Sequence, residues 1–365
     1  MATTYKAFLN NDIVSTRTLL HEAIPLTGSI VSGTYAPAFP NGGNIKNYAH
    51  GMFQSVYDYP YLSSSANQIF DLTVGMSHQS NLSSSTTVQR AKKINLYNQM
   101  AQVLMGYDVT GTIERFDQDG VLAGGNKLND CFFINFARLL TKDEIKKGSF
   151  TLKLGVAAPH AAPMQKMLTI TDAGAGTSYK VNSPAGEYGI LSCSAGGGFV
   201  SGQGDGGNVG LIFYQAGVAV LSSSVFLGPQ GGGVCPDENA LMFPLESAEP
   251  NSSFTGSLTG STIQASCDAI RHRLYDLSYN NTTELNSTIH FCRVNNNDYN
   301  YSANPTYLSA SKIVVKNNTL DAPVSYITAV GLYSADNELL ATAKLSEPLK
   351  KDPTNEMTIR VRLDY

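Results

Sequence analysis

The chain has 365 residues, 42% of them hydrophobic, which is enough for a sizeable core and for two or three modules. Charged residues make up only 15% and Trp is absent, while Gly, Ser, Thr, Asn and Tyr are abundant, a balance that suits strands, turns and polar interfaces better than long charged helices. A net charge of -4 with scattered Lys and Arg argues against a basic nucleic-acid surface, and the lack of any apolar run of about 20 residues argues against a membrane-spanning helix.

In chain order, residues 1–85 read as short segments broken by Gly33, Pro37, Pro40, Gly42 and Gly43, with Met52–Tyr57 and Ile69–Val74 alternating as strands do. A helix follows in TTVQRAKKINLYNQMAQVLMGY, with Val88, Ala91 or Lys92, Leu96, Met100, Val103 and Tyr107 near helical spacing and Gly106 at the stop. Asp117-Gln118-Asp119-Gly120 supplies turn chemistry, and Cys131–Leu140 is an apolar stretch. Thr141-Lys142-Asp143-Glu144 has capping-box spacing, which predicts a short helix ending at Gly148 before a strand over Ser149–Val156. Met167–Thr171, Ser178–Val181, Tyr188–Cys193, Val209–Tyr214 and Val218–Leu221 are strand candidates separated by Gly-rich turns.

A second helix is expected in STIQASCDAIRHRLYDLSY, where Ile263, Cys267, Ile270, Leu274 and Leu277 form one apolar stripe. The last stretch returns to strands at Ile289–Val294, Lys312–Lys316, Ser325–Tyr333, Leu339–Leu345 and Met357–Leu363. Ser334–Asn337 joins two of these as a hairpin, whose Val330, Leu332, Leu340 and Leu345 are apolar enough to be expected in the core. The fold class is therefore mainly β, with β-sandwich-like modules and two or three helices. Three segments are drawn: 1–115, a β-rich part with one amphipathic helix; 116–260, a Gly-rich β module; and 261–365, a helix and C-terminal β module packing with the N-terminal segment.

Motifs that could carry chemistry are few. Gly202-Gln203-Gly204-Asp205-Gly206-Gly207 satisfies G-x-G-x-x-G, but a dinucleotide site needs a helix next and NVGLIFYQAGVAVL reads as strand. The Gly196–Gly210 tract is expected to be a loop ordered by a neighbouring subunit. Asp117-x-Asp119-Gly120 begins like a calcium loop, but Val121 and Leu128 occupy later ligand positions, so a hairpin turn is the better reading. His21, His50, His78, His160, His272 and His290 show no metal-ligand spacing. Cys131, Cys193, Cys235, Cys267 and Cys292 are odd in number and far apart, which predicts reduced thiols. No G-x-S-x-G elbow or protease-like Cys signature occurs, so no catalytic, cofactor-binding or metal residue is assigned and no enzymatic activity or cofactor is expected.

Several stretches together resemble a known family. KKGSFTLKLG, VGLIFYQAGVAVLSSS, STIHFCRVNNNDYNYSANPTYLS and ITAVGLYSADNELLATAKLSEPLKKDPTNEMTIRVRLDY are similar to segments of virion structural proteins of tailed phages. MATTYKAFLNNDIVSTRTLLHEAIPLTGSI and NYAHGMFQSVYDYPYLSSSANQIFDLTVG resemble the version carried by marine T-even-like cyanophages. The resemblance implies a subunit of the tail, neck or baseplate, assembled in host cytoplasm and partnered by copies of itself and other virion proteins, with no nucleic-acid or membrane partner. The alternatives are a capsid decoration protein, or a receptor- or glycan-binding appendage using the Tyr-rich tracts Tyr57–Tyr61 and Asp298–Tyr307 on a host-surface glycan.

Overall fold

Alternating apolar residues and closely spaced turn formers give a chain that is mostly strand, with antiparallel pairing throughout the registers that follow. The structure is a computed structural model, and it describes residues 5–27, 43–83, 87–157, 162–195, 207–226, 262–300, 308–309, 312–313, 320 and 323–365. The elements run β1 (Ile13–Thr27), β2 (Ile45–Asn47), β3 (Gln54–Tyr57), β4 (Gln68–Met76), α1 (Val88–Leu104), β5 (Asp130–Phe136), α2 (Arg138–Thr141), β6 (Glu144–Ile145), β7 (Thr151–Gly155) and β8 (Met167–Thr171). They continue with α3 (Ala175–Ser178), β9 (Tyr188–Ala195), β10 (Asn208–Phe213), β11 (Val218–Ser222), α4 (Ile263–Arg271), β12 (Leu274–Val294), β13 (Leu308–Ser309), β14 (Lys312–Ile313), β15 (Ser325–Tyr333), β16 (Leu339–Lys351) and β17 (Met357–Asp364). Among the described residues no helix is long and apolar enough to cross a membrane.

The chain divides into a larger unit, Leu20–Thr283, and a smaller one, Met1–Leu19 with Glu284–Tyr365. These borders fall inside β1 and β12 and differ from the borders near residues 115 and 260 drawn from the sequence. Composition marks loops well, but β12 is one continuous strand that pairs with β6 and β7 through its first half and with β17 through its second.

In the larger unit the sheet order is β12-β7-β8-β9-β10-β11-β5-β4-β3-β2, with β6 also beside β12. Side chains alternate between its faces. Phe132, Ile134, Ile212, Ala219 and Leu221 join one core with Ile263, Cys267 and Ile270 of α4. Their neighbours Cys131, Phe133, Leu211, Phe213, Val218 and Val220 join a second core with Tyr97, Ala101 and Leu104 of α1. Burial on both faces explains why β10 and β11 read as nearly continuous apolar runs rather than alternating ones.

Several expectations need correction. β1 is a long strand where the sequence suggested only short segments. α1 exists and stops at Gly106, whose φ of +81 a side chain would resist, but it buries Lys93, Leu96, Tyr97, Ala101 and Leu104, leaving Val88, Val103 and Tyr107 exposed. Its approach to β4 decides the face, because Gly75 lets the Tyr97 backbone come close. The capping-box helix at 141–148 does not form. α2 lies one turn earlier, and Glu144 and Ile145 pair with Thr282 and Asn281 instead.

α4 ends at Arg271, so Leu274 and Leu277 belong to β12. Arg273 is captured by β7: its guanidinium donates to the carbonyls of Gly155 and Ala157, each at 2.9 Å, and its own carbonyl accepts from Gly155 N at 2.8 Å. Ser178–Val181 is not a strand; α3 ends there and Lys180 makes only an isolated bridge to Tyr188. The hairpin forms, with β15 matching its predicted range, but Leu340 is 68% exposed and only Leu332, at 7%, is buried.

Candidate interaction surface of the smaller unit

The smaller unit is built from strands with little between them. Among its described hydrophobic residues only Val294, Leu332 and Val361 are buried, whereas Leu9, Tyr326, Leu339, Leu340 and Tyr365 are among those exposed. β17 pairs with β12 from Ser287↔Asp364 to Val294↔Met357, and β15 pairs with β16 as a separate two-stranded sheet.

Polar bonds hold these parts in place. The N-terminal segment is pinned by Lys6 to Asp298 and by Arg293 Nε to Asp12 Oδ1 at 2.5 Å. Leu9 N also donates to Asp12 at 3.0 Å, and this bond, with Arg293, holds the Asp12 carboxyl below the usual carboxylate range. The Lys6 partner holds Asp298 low in the same way. At the base of the hairpin the buried Lys351 ammonium donates to Asn300 Oδ1 at 2.6 Å, to the Asp352 carbonyl at 2.8 Å and to the Asn296 carbonyl at 3.0 Å. Three oxygen acceptors match its three donors, so this buried ammonium is fully satisfied. The Ser325 hydroxyl donates to the carbonyl of Tyr299, a residue in the left-handed region with φ of 55°.

Along this frame runs an open groove of about 750 Å³, lined by Tyr5–Phe8, Phe291–Val294, the whole of β15 and Ile359. Its aromatic faces come from Tyr5, Tyr299, Tyr326 and Tyr333, with the rings of Tyr5 and Tyr333 4.5 Å apart. Apolar and aromatic side chains with the charges of Lys6, Asp12 and Arg293 among them suit a peptide segment or a sugar face. The sequence pointed to Tyr299 through the Asp298–Tyr307 tract, of which 301–307 lie outside the described residues. It gave no sign of Tyr5, Lys6 or Phe8, which reach the groove only through folding. Tyr57 and Tyr61 belong to the larger unit, their ring centroids 6.2 Å apart.

The other candidates are occupied by structural bonds. Asp117 and Lys127 bridge and ion-pair at 2.9 Å, Gln118 N donates to Asn126 O at 3.0 Å, and Gly120 has φ of +72: a hairpin-like turn, as its residues suggest. Burial pushes the Asp117 carboxyl up, while its bond to Asp119 holds that second carboxyl down. At α4 the Arg271 guanidinium donates to Gln54 Oε1 at 2.8 Å, Gln54 Nε2 donates to Asp268 Oδ1 at 2.8 Å, and Asp268 ion-pairs with Arg271. This closed network ties α4 to β3.

Among the described residues no group of three or more His, Cys, Asp or Glu is placed to hold a metal ion. Cys131, Cys193, Cys267 and Cys292 are free thiols; burial raises all four, and Cys235 and His160 lie outside the described residues. Of the G-x-G-x-x-G tract, 202–206 lie outside them too, and the residues after Gly207 form strand β10. No family model, curated protein or solved structure matches the chain.

Proposed function

We propose that this protein is a structural subunit of a tailed-phage virion, in its tail, neck or baseplate, and that it acts through contacts with copies of itself and with other virion proteins. The observation that carries the reading is the smaller unit, whose described part buries few apolar side chains and exposes many. Covering apolar surface contributes about 25 cal/mol per Å², so strands this bare gain much of their stability from whatever packs on them. The ordered resemblance of the quoted segments to phage virion proteins supports the same reading, as do free cysteines, which suit assembly in reducing host cytoplasm. Mass spectrometry and reconstruction of the purified particle test it: the chain is expected in many symmetric copies, and its absence from the particle refutes the proposal.

The second reading is a glycan-binding appendage. The gathering of Tyr5, Tyr299, Tyr326 and Tyr333 around one groove favours it, since exposed aromatic faces stack on sugar rings. Binding on a glycan array that Tyr326→Ala abolishes would establish it.

A further inference from the structure

We propose that β15 is the edge along which a second copy of this chain docks, its own β15 lying antiparallel beside the first so that two hairpins become one continuous sheet. The proposal rests on the reading of the protein as a self-assembling subunit and names the surface that reading requires.

β15 pairs with β16 from Ser325↔Lys351 to Tyr333↔Leu339 and with no third strand among the described residues. A two-stranded hairpin is marginal by itself, and each outer edge presents unpaired backbone donors and acceptors. The two edges differ in protection. β16 carries Lys344, Glu347, Pro348, Lys350 and Lys351, the charges and proline that guard edges against added strands. β15, Ser-Tyr-Ile-Thr-Ala-Val-Gly-Leu-Tyr, carries no charge and no proline, and is rich in residues that favour strands.

Charge admits the second copy. Every residue of β15 lines the open groove, which it shares with Tyr5–Phe8 and Phe291–Val294. Identical uncharged strands meet without like-charge repulsion, and the acidic and basic side chains of the smaller unit balance. Antiparallel pairing of one strand with itself is self-complementary and closes as a two-fold contact, which needs no second surface.

Thr328 is the residue to change. It is exposed near the middle of β15, at the irregularity between Ile327 and Ala329 where the ladder to β16 is interrupted, so a longer side chain there is tolerated. In a two-fold pair it lies close to its own counterpart. Sedimentation equilibrium of the full chain is expected to show a dimer that Thr328→Lys and Thr328→Glu each weaken by about tenfold or more, with melting unchanged at concentrations dilute enough to hold the wild type as monomer, because like charges then face each other across the pair. Mixing the two variants is expected to restore association, and β15 amides are expected to exchange more slowly as concentration rises. A monomeric wild type, association unaltered by both variants, or protection confined to other strands overturns the proposal. Absence of the chain from purified particles would refute the virion reading while leaving this measurement on the isolated chain intact.

Discussion

The Tyr214 hydroxyl donates to Asp172 Oδ2 at 3.1 Å inside the larger core, and the same carboxylate accepts from Gly148 N at 2.7 Å and Phe150 N at 3.0 Å. One side chain thereby satisfies the turn that leads into β7 and the end of β10. Asp172→Asn turns an amide donor toward groups that are themselves donors, and is expected to cost about 1–3 kcal/mol by chemical denaturation. Burial pushes the Asp172 carboxyl above its ordinary value of 3.8, so the folded state holds this proton more tightly than the unfolded chain. Stability from this group is therefore complete below that value and lost as pH rises through the raised folded pKa. The gap between wild type and variant is expected to be widest at the acid end.

Lys93 of α1 lies fully buried, with Nζ donating to Ser266 Oγ at 3.2 Å, and desolvation lowers its pKa from 10.5 to about 8. The folded state then binds this proton less tightly than the unfolded chain. The penalty is present below about pH 8 and is relieved as pH climbs toward 10.5. Lys93→Met, which fills the same space without a charge, is expected to remove this alkaline rise in stability, which is on the order of 3 kcal/mol. Melting temperatures of both proteins across that range check it.

A methyl group at Gly75 would sit 2.8 Å from Tyr97 N, in contact with helix backbone that cannot rotate away. Gly75→Ala is expected to push α1 off β4 and destabilise the protein by about 1–3 kcal/mol. Near-ultraviolet circular dichroism should report the loss of the T-shaped packing of Tyr97 on Phe116.

Leu332 and Leu340 lie on paired strands of one hairpin but in opposite environments, 7% and 68% exposed. Leu332→Ala is expected to lower the melting temperature clearly, by about 2 kcal/mol of stability or more. Leu340→Ala is expected to change it by under about 0.5 kcal/mol in the isolated chain. Equal effects would show that the hairpin packs differently.

The mainly β class, many of the strand positions and the presence of α1 and α4 were legible in the sequence, because the two-residue and near-four-residue periods of apolar side chains are set by local backbone geometry. β8 and β15 span their predicted ranges for that reason. What long-range packing controls was not legible. The buried face of α1 follows from the approach of Tyr97 to Gly75, and the end of α4 from the capture of Arg273 by the carbonyls beyond β7. The groove joins Tyr5 to Tyr333, residues more than three hundred positions apart. Leu340 shows the limit most simply: an apolar residue in a strand states that burial would be favourable, but whether a partner surface lies over it is decided by tertiary structure, since hydrophobic burial is non-directional and carries no address.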